Sequence, residues 1–136
     1  MNIISNRWHY NALTGNLDAE NDTIKVALMT SSYVVDKDTN IFSDTHEISA
    51  TGYTAGGKVL ANSVVTQDDA NDLAKWDADD VVWDPSTITA RYAVMYNTTR
   101  ADSIIGVYDF LSDMTSSNGP FAVRWNAAGV LALSQA

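Results

Sequence analysis

The chain has 136 residues, of which 46% are hydrophobic and 18% charged, a composition typical of one folded domain with a single core. Its net charge of −9 disfavours binding to nucleic acid, because affinity for phosphate backbones comes chiefly from Lys and Arg. The absence of cysteine excludes disulfides and thiolate metal sites. No apolar run reaches the roughly 20 residues of a membrane-spanning helix, and the N-terminus lacks the apolar centre of a signal peptide. We therefore expect no membrane partner and no Sec export.

The N-terminal segment is predicted to form a short helix or an irregular arm. Within residues 5–17, one side of a helix would carry the apolar residues Trp8, Tyr10, Leu13 and Leu17. Gly15 interrupts this pattern. Trp8 and Tyr10 either cover an open end of their own core, which we favour, or contact a partner. We therefore separate an N-terminal arm, residues 1–22, from a β-sandwich domain, residues 23–136.

Residues 23–31 are predicted to form the first long strand, because Ile24, Val26 and Leu28 alternate with Lys25 and Ala27. Residues 36–49 are polar and predict a loop. A glycine-rich segment follows at residues 50–57. Glycine reaches positive φ at little steric cost, so this segment predicts a sharp corner at which the chain enters its main sheets.

The longest strand pattern covers residues 87–96. One face of this strand is predicted to carry Ile88, Ala90, Tyr92, Val94 and Tyr96. Towards the end of the pattern, Ala93 and Met95 make the second face apolar as well. A strand that is apolar on both faces is typical of a central position in a covered sheet.

The remaining β-like runs are short and are separated by turns rich in Asp, Asn, Ser and Gly. We predict further strands at residues 59–66, 73–77, 81–83, 103–110, 121–125 and 130–134, with a hairpin loop at 97–102 and a surface loop at 112–120. The last two strands are predicted to pair as a hairpin across the turn at residues 126–129. The whole pattern indicates an all-β fold: a single-domain antiparallel β-sandwich or barrel of about eight or nine short strands, with a short N-terminal helix or arm.

One polar loop has the ligand spacing of a calcium site. Oxygen-bearing side chains fall at positions 1, 3, 5, 9 and 12 of a twelve-residue loop: Asp36, Asp38, Asn40, Asp44 and Glu47. However, Ile41 stands where an EF-hand loop needs glycine for its turn, and the flanking segments are predicted strands. We therefore favour a solvated acidic loop and expect no cofactor.

The sequence offers no catalytic motif. His9 and His46 lack a supporting pattern, and no Gly-x-Ser-x-Gly elbow is present. The 17 acidic residues supply many carboxylate pairs, but nothing selects one of them for glycoside hydrolysis. We therefore expect a non-enzyme. Tyr33 and Tyr53 lie beside predicted loops and join Trp8 and Tyr10 as candidate partner contacts, because aromatic residues are enriched at interfaces.

Several segments resemble a family of small β-rich structural proteins of tailed-bacteriophage particles. The resemblance runs from about residue 22 to residue 133. It is carried by the segments 23–33, 52–57, 77–83, 88–94 and 121–130, which read TIKVALMTSSY, GYTAGG, DADDVVW, ITARYAV and FAVRWNAAGV. It implies a virion protein, assembled in the host cytoplasm, that binds the major capsid protein or another virion protein.

The position on the particle stays open between alternatives. We expect most a head decoration, or cement, protein that stabilises the capsid lattice as a homo-oligomer, with a trimer as a natural form. The first alternative is a tail or fibre component, including a module that binds host-surface glycans. The second is a tail-tip hydrolase that uses a carboxylate pair, and the sequence supports it least.

Overall fold

The structure is a computed structural model that describes residues 3–134, and all of its strand pairs are antiparallel. It confirms the prediction of an all-β fold with a short N-terminal helix. The elements in chain order are β1 (Ile3–Ile4), α1 (Asn6–Thr14), β2 (Ile24–Met29), β3 (Lys58–Val59), β4 (Val64–Asp68), β5 (Leu73–Asp77), β6 (Val81–Ser86), β7 (Thr89–Asn97), β8 (Ser103–Thr115), β9 (Gly119–Val123) and β10 (Leu131–Ser134). A 3₁₀ helix, Thr98–Arg100, joins β7 to β8.

The strands form three sheets. The five-stranded sheet has the order β1-β8-β7-β2-β3, the three-stranded sheet has the order β10-β5-β4, and β6 pairs with β9 alone. The predicted hairpin between the last two strands is therefore wrong. The turn at residues 126–129 is present, and the Gly129 N–H donates to the Asn126 carbonyl at 2.8 Å. The strands on either side of that turn nevertheless pair with different sheets.

The five-stranded sheet is covered on both faces. Alternation along β2 divides its side chains as the sequence predicts, with Val26 and Leu28 on one face and Ala27 and Met29 on the other. The first face packs against aromatic residues of the other two sheets, including Trp83. The second face is covered by partly buried side chains, including those of Tyr33, Val35 and Phe42. These two layers form the core.

The longest predicted strand departs from simple alternation. Its pairing register with β8 shifts between Ala90 and Tyr92. Over this irregularity β7 advances by two residues and β8 by five, and the side chains of β7 change faces across it. As a result, Ala90 and Ala93 share the first core layer, whereas Val94 lies in the second. The single predicted face was therefore wrong, although β7 does occupy the centre of its sheet.

Two other predicted elements have different bounds. Residues 59–66 were predicted as one strand, but they divide between β3 and β4, which belong to different sheets. Asn62 lies between them with φ of 56°, a conformation that interrupts a strand. The predicted surface loop at 112–120 is also wrong in part, because β8 continues to Thr115 and pairs there with Thr89 of β7.

Helix α1 has defined caps at both ends. Its N-cap, Ser5, accepts a hydrogen bond from the Arg7 N–H at 3.0 Å. Gly15 ends the helix in the left-handed conformation, with φ of 73°. The helix buries Trp8 in the first core layer, together with residues of all three sheets. The predicted arm is therefore attached to the core through this indole.

Candidate interaction surface

The three-stranded sheet presents two chemically different faces. In the pairing register, Val65 of β4 and Leu131 of β10 both lie opposite Trp76 of β5, so these three residues share one face. Trp76 and Leu131 are buried in the core. Thr66 and Lys75 form the adjacent pair and point to the opposite face. One face of this sheet therefore completes the core, and the other faces outward.

The outward face carries an acidic cleft with a volume of about 670 Å³. Its charged lining consists of four aspartates and one lysine: Asp68, Asp69, Asp77, Asp79 and Lys75. Hydrogen bonds from the Asn71 side chain and backbone N–H lower the pKa of Asp68 below its ordinary value. Lys75 lies 3.9 Å from Asp77, and both side chains are partly exposed. The cleft therefore has a net negative charge at neutral pH.

Strand β4 is the exposed edge of this sheet. Its first four residues are all exposed, and two of them are valines with 51% and 44% of their surface accessible, Val64 and Val65. The two valines are adjacent in the strand and therefore point to opposite faces. An exposed apolar edge strand favours pairing with a further strand, and native proteins usually shield such edges. Here the Glu20 side chain shields the edge, because its Oε1 accepts a hydrogen bond from the Val65 N–H at 2.7 Å.

A second cleft has two walls. Helix α1 and the segment that follows it form one wall, and the core-facing side of the three-stranded sheet forms the other. Its volume is about 520 Å³, and its lining includes Trp8, Leu17, Trp76 and Leu133. The indole N–H groups of Trp8 and Trp76 are both buried, and neither has a hydrogen-bond partner within residues 3–134. Nine of the fourteen lining residues are apolar, so the cleft is mainly apolar despite these two donors.

The four predicted contact aromatics have different environments. Tyr10 is 60% exposed, and Arg7 lies over its ring at 5.6 Å. Trp8 is only 5% exposed, so its side chain contacts its own core rather than the surface that a partner contact needs. Tyr33 is partly buried, and its ring centre lies 5.8 Å from that of Tyr92. Tyr10 is thus the most exposed of the predicted contacts.

Tyr53 is held inside the glycine-rich corner. Its hydroxyl accepts a hydrogen bond from the Leu28 N–H at 3.0 Å and donates to Oε1 of Glu47 at 2.7 Å. The same carboxylate oxygen accepts from the Gly56 N–H at 2.5 Å. Burial and the hydrogen bond to Glu47 raise the pKa of the Tyr53 hydroxyl well above its ordinary value. These contacts fasten the corner to β2 and give Tyr53 a structural role.

At two positions of this corner the backbone accepts only glycine. Gly52 has φ of 84°, and a Cβ there would overlap the Pro85 carbonyl oxygen. Gly57 has φ of 81°, and its Cβ would overlap the Val26 carbonyl oxygen. Positive φ and close backbone approach both select glycine. The sequence motif therefore reflects packing of the corner against β2 and β6.

Three of the five predicted calcium ligands, Asp36, Asp38 and Glu47, accept hydrogen bonds from separate protein groups. Asp36 accepts a hydrogen bond from the Asp38 N–H, and Asp38 accepts one from the Asn6 side chain at 2.6 Å. Glu47 lies in the Tyr53 corner instead. Within residues 3–134, no three His, Cys, Asp or Glu side chains are grouped closely enough to hold a metal ion. The loop thus lacks the converging carboxylates that the spacing of Asp36, Asp38, Asn40, Asp44 and Glu47 implied.

Sequence reasoning missed the features that distinguish β4. The strand prediction covered part of it, at residues 59–66, but could not give its exposure. Contact between Glu20 and β4 is also invisible in the sequence, because the two are 45 positions apart. The available signal was a pair of valines, Val64 and Val65, three residues before an acidic turn that begins at Asp68. Such a pair fits a buried strand equally well.

Comparisons with family models, with curated proteins and with solved structures found no match. In the part of the chain that the structure describes, no helix has the length and hydropathy needed to cross a membrane.

Proposed function

We propose that the protein is a non-enzymatic structural component of a tailed-bacteriophage virion, and specifically a head decoration protein. It binds the major capsid protein, or another virion protein next to it, and stabilises the capsid lattice. Assembly takes place in the host cytoplasm, and the protein acts as a homo-oligomer, for which a trimer suits the threefold positions of a lattice. The virion assignment is supported by the sequence resemblance.

The exposure of β4 is the observation that supports a role in protein binding. Val64 and Val65 leave apolar surface on both sides of one edge strand, beside an acidic cleft. Apolar surface surrounded by polar groups is the usual composition of a protein interface, with a dry centre and a charged rim. A decoration protein needs such a surface because it stabilises a lattice only through the area that it buries across subunit seams.

The charge of the surface indicates the kind of partner. The acidic cleft and the net charge of −9 would attract a basic surface and repel another copy of the same face. A basic region exposed on the outside of a capsid subunit fits this requirement. Electrostatic attraction of this kind speeds association, and the apolar centre then slows dissociation.

One observation favours a second candidate, a tail or fibre module that binds host glycans. The exposed ring of Tyr10 lies in a shallow pocket of about 360 Å³ together with Asn6, Arg7 and Asn40. A ring face beside amide and guanidinium donors can stack on a sugar and bond its hydroxyl groups. Replacing Tyr10 with alanine separates the two candidates, because it would remove glycan binding and leave attachment through β4 intact.

The deciding experiment is cosedimentation of the purified protein with empty expanded capsids and, separately, with isolated tails of the phage that carries its gene. We expect saturable binding to capsids at a fixed number of copies per lattice unit, and greater capsid resistance to heat or osmotic shock. Binding to tails alone would overturn the decoration function and favour the second candidate. Binding to neither particle would refute both.

A further inference from the structure

The outer edge of β4 has backbone groups that are available for pairing with a further strand. Val65 lies opposite Trp76, but its N–H points away from β5 and donates to Glu20 instead. In an antiparallel strand the backbone groups of alternate residues point to the same side, so those of Gln67 also point outward. The outer edge therefore presents backbone groups at the spacing that a further strand requires.

The Glu20 carboxylate lies where the backbone carbonyl oxygen of an added strand would lie. Its Oε1 atom lies 2.7 Å from the Val65 nitrogen, which is the distance of a ladder hydrogen bond. The side chain is exposed and comes from the segment after α1, not from a strand. A charged side chain at a sheet edge protects it against unspecific pairing, and a strand that supplies its own carbonyl can displace it.

The charge around this edge argues against pairing between two copies. Residues 62–80 contain six aspartates and one lysine, which gives this segment a net charge of −5. Two copies paired along β4 would bring these segments together and repel each other. A segment rich in Lys or Arg would meet the opposite charge instead.

The two faces of the sheet predict the pattern of such a segment. A strand added outside β4 points its side chains alternately to the two faces. On one face they would lie beside Val65 and the apolar cleft of Trp76, and on the other beside Thr66 and the acidic cleft. The complementary sequence alternates apolar with basic residues.

We propose that β4 binds an extended segment of a partner protein, in which apolar and basic residues alternate, as an additional strand of the three-stranded sheet. The partner's carbonyl replaces the Glu20 carboxylate on the Val65 N–H, and its basic side chains enter the acidic cleft. Main-chain hydrogen bonds supply affinity in this mode, and the alternating side chains supply specificity. The inference deepens the proposed function and rests on it for the choice of partner.

The first test uses a defined probe, a short peptide of alternating valine and lysine, and follows the backbone amide signals of the protein by NMR. We expect saturable changes concentrated in residues 64–68. A peptide with glutamate in place of lysine should not bind. In antiparallel pairing the valine N–H groups of the peptide point to β4, so a peptide with N-methyl groups on its valines cannot form the ladder and should bind at least about tenfold more weakly. Equal binding of the N-methylated peptide, or absence of saturable binding by the valine–lysine peptide, would overturn the inference.

The second test uses the variant Val65→Pro, which removes the outward N–H and leaves the β4–β5 hydrogen bonds in place. Its matched control is Ala132→Pro, the same change in β10 at the opposite edge of the sheet. We expect Val65→Pro to weaken capsid binding at least about tenfold, and Ala132→Pro to bind as the unchanged protein does. Near-UV circular dichroism checks that both variants are folded.

The two proposals fail in distinguishable ways. If folded Val65→Pro binds capsids as tightly as the unchanged protein, strand addition at β4 is wrong and the decoration function stands. If the unchanged protein binds no capsids but binds the valine–lysine peptide at residues 64–68, the decoration function is wrong. Strand addition then stands for a partner elsewhere on the particle.

Discussion

The five-stranded and three-stranded sheets differ in how much of each strand is buried. In β2, an inner strand of the larger sheet between β7 and β3, every residue except Lys25 is fully buried. In β4, at the edge of the smaller sheet, the first four residues are exposed. Both strands are rich in β-branched residues, so propensity does not explain the contrast. The neighbouring elements explain the contrast in burial, because both faces of β2 are covered, whereas both faces and one edge of β4 are open to solvent.

This contrast assigns the stability of the fold to the larger sheet and partner recognition to the smaller sheet. The five-stranded sheet contributes to two core layers and holds the fold together. The three-stranded sheet contributes only part of one layer, through residues such as Trp76. We therefore expect substitutions in the larger sheet to change the free energy of unfolding, and substitutions at β4 to change binding.

The largest effect is expected for truncation in β2. Leu28 is fully buried, and Leu28→Ala should lower the free energy of unfolding by about 3–5 kcal/mol because it leaves a cavity. Val65→Ala in β4, at a half-exposed site, should cost less than about 1 kcal/mol. Urea denaturation followed by circular dichroism measures both. Similar losses for the two variants would show that β4 is as important to the core as β2.

A comparably large effect is expected at the glycine-rich corner. In Gly57→Ala, the new Cβ meets the Val26 carbonyl at a left-handed φ, and we expect a loss of about 3 kcal/mol. Gly15→Ala is the matched control, because Gly15 has a similar φ and open space around it. It should cost only about 1 kcal/mol, the penalty for a Cβ in the left-handed conformation. Equal losses, measured by thermal unfolding, would mean that φ alone matters at the corner.

A smaller effect is expected for the ion pair that fastens the segment after α1 to the β7–β8 connection. Asp22 has only 5% of its side chain exposed and accepts hydrogen bonds from Asn97 at 2.8 Å and Arg100 at 3.0 Å. Burial opposes its charge, but the hydrogen bonds from Arg100, Asp18 and Asn97 outweigh burial and hold the pKa of Asp22 below its ordinary value. Asp22→Asn should cost about 2 kcal/mol at neutral pH.

The sign of this pH dependence follows from the lowered pKa. The stabilisation by Asp22 is present above the ordinary pKa of 3.8 and is lost as the pH falls through the folded-state value. The difference between the unchanged protein and Asp22→Asn should therefore shrink below about pH 4. The control is Asp109→Asn, which breaks the more exposed pair with Arg91 and should cost less than Asp22→Asn. A difference for Asp22 that does not vary with pH would contradict this account.

At alkaline pH the second core layer should weaken. Burial raises the pKa of Tyr96 to about 12. A raised folded-state pKa means that stability is intact below the ordinary value of 10.0 and falls as the pH rises towards 12. Urea midpoints measured across this range should fall more steeply for the unchanged protein than for Tyr96→Phe. Parallel slopes would show that other groups control alkaline unfolding.

The smallest change in stability is expected for Glu20→Ala. The Val65 N–H that loses its acceptor is at an exposed edge, so the cost should be below about 1 kcal/mol. Removing this protection should instead increase self-association when high salt screens the acidic segment. Sedimentation velocity at low and high salt measures this change, with the unchanged protein as the reference. Identical behaviour of the two proteins would show that Glu20 does not guard the edge.

The sequence predicted those parts of the fold that depend on local alternation. Val26 and Leu28 identify β2 and its faces, because the pattern has no interruption. The irregularity after Ala90 could not be predicted, since its residues resemble any alternating strand and only pairing with β8 reveals the shift. Pairing of β10 with β5 also depends on contacts far apart in the chain.

The candidate surface was less predictable than the fold. Tyr10 was expected, like Trp8, to cover an open end of the core, but it is 60% exposed. Trp8 covers its own core, as favoured for the N-terminal segment. Tyr53 was expected at an interface because it lies beside a loop, but its hydrogen bond to Glu47 holds it inward. Exposure of Val65 follows from the absence of a neighbouring strand outside β4, a property of the whole sheet.

Trp76 makes the state of this edge visible to fluorescence. Its indole is 4% exposed, has no hydrogen-bond partner within residues 3–134 and lies directly across from Val65. Emission from such an apolar environment is blue-shifted, and it should respond when a neighbouring strand displaces water from β4. With phenylalanine in place of the other three tryptophans, Trp8, Trp83 and Trp125, the protein would carry its own optical probe beside the surface where its partner is expected to bind.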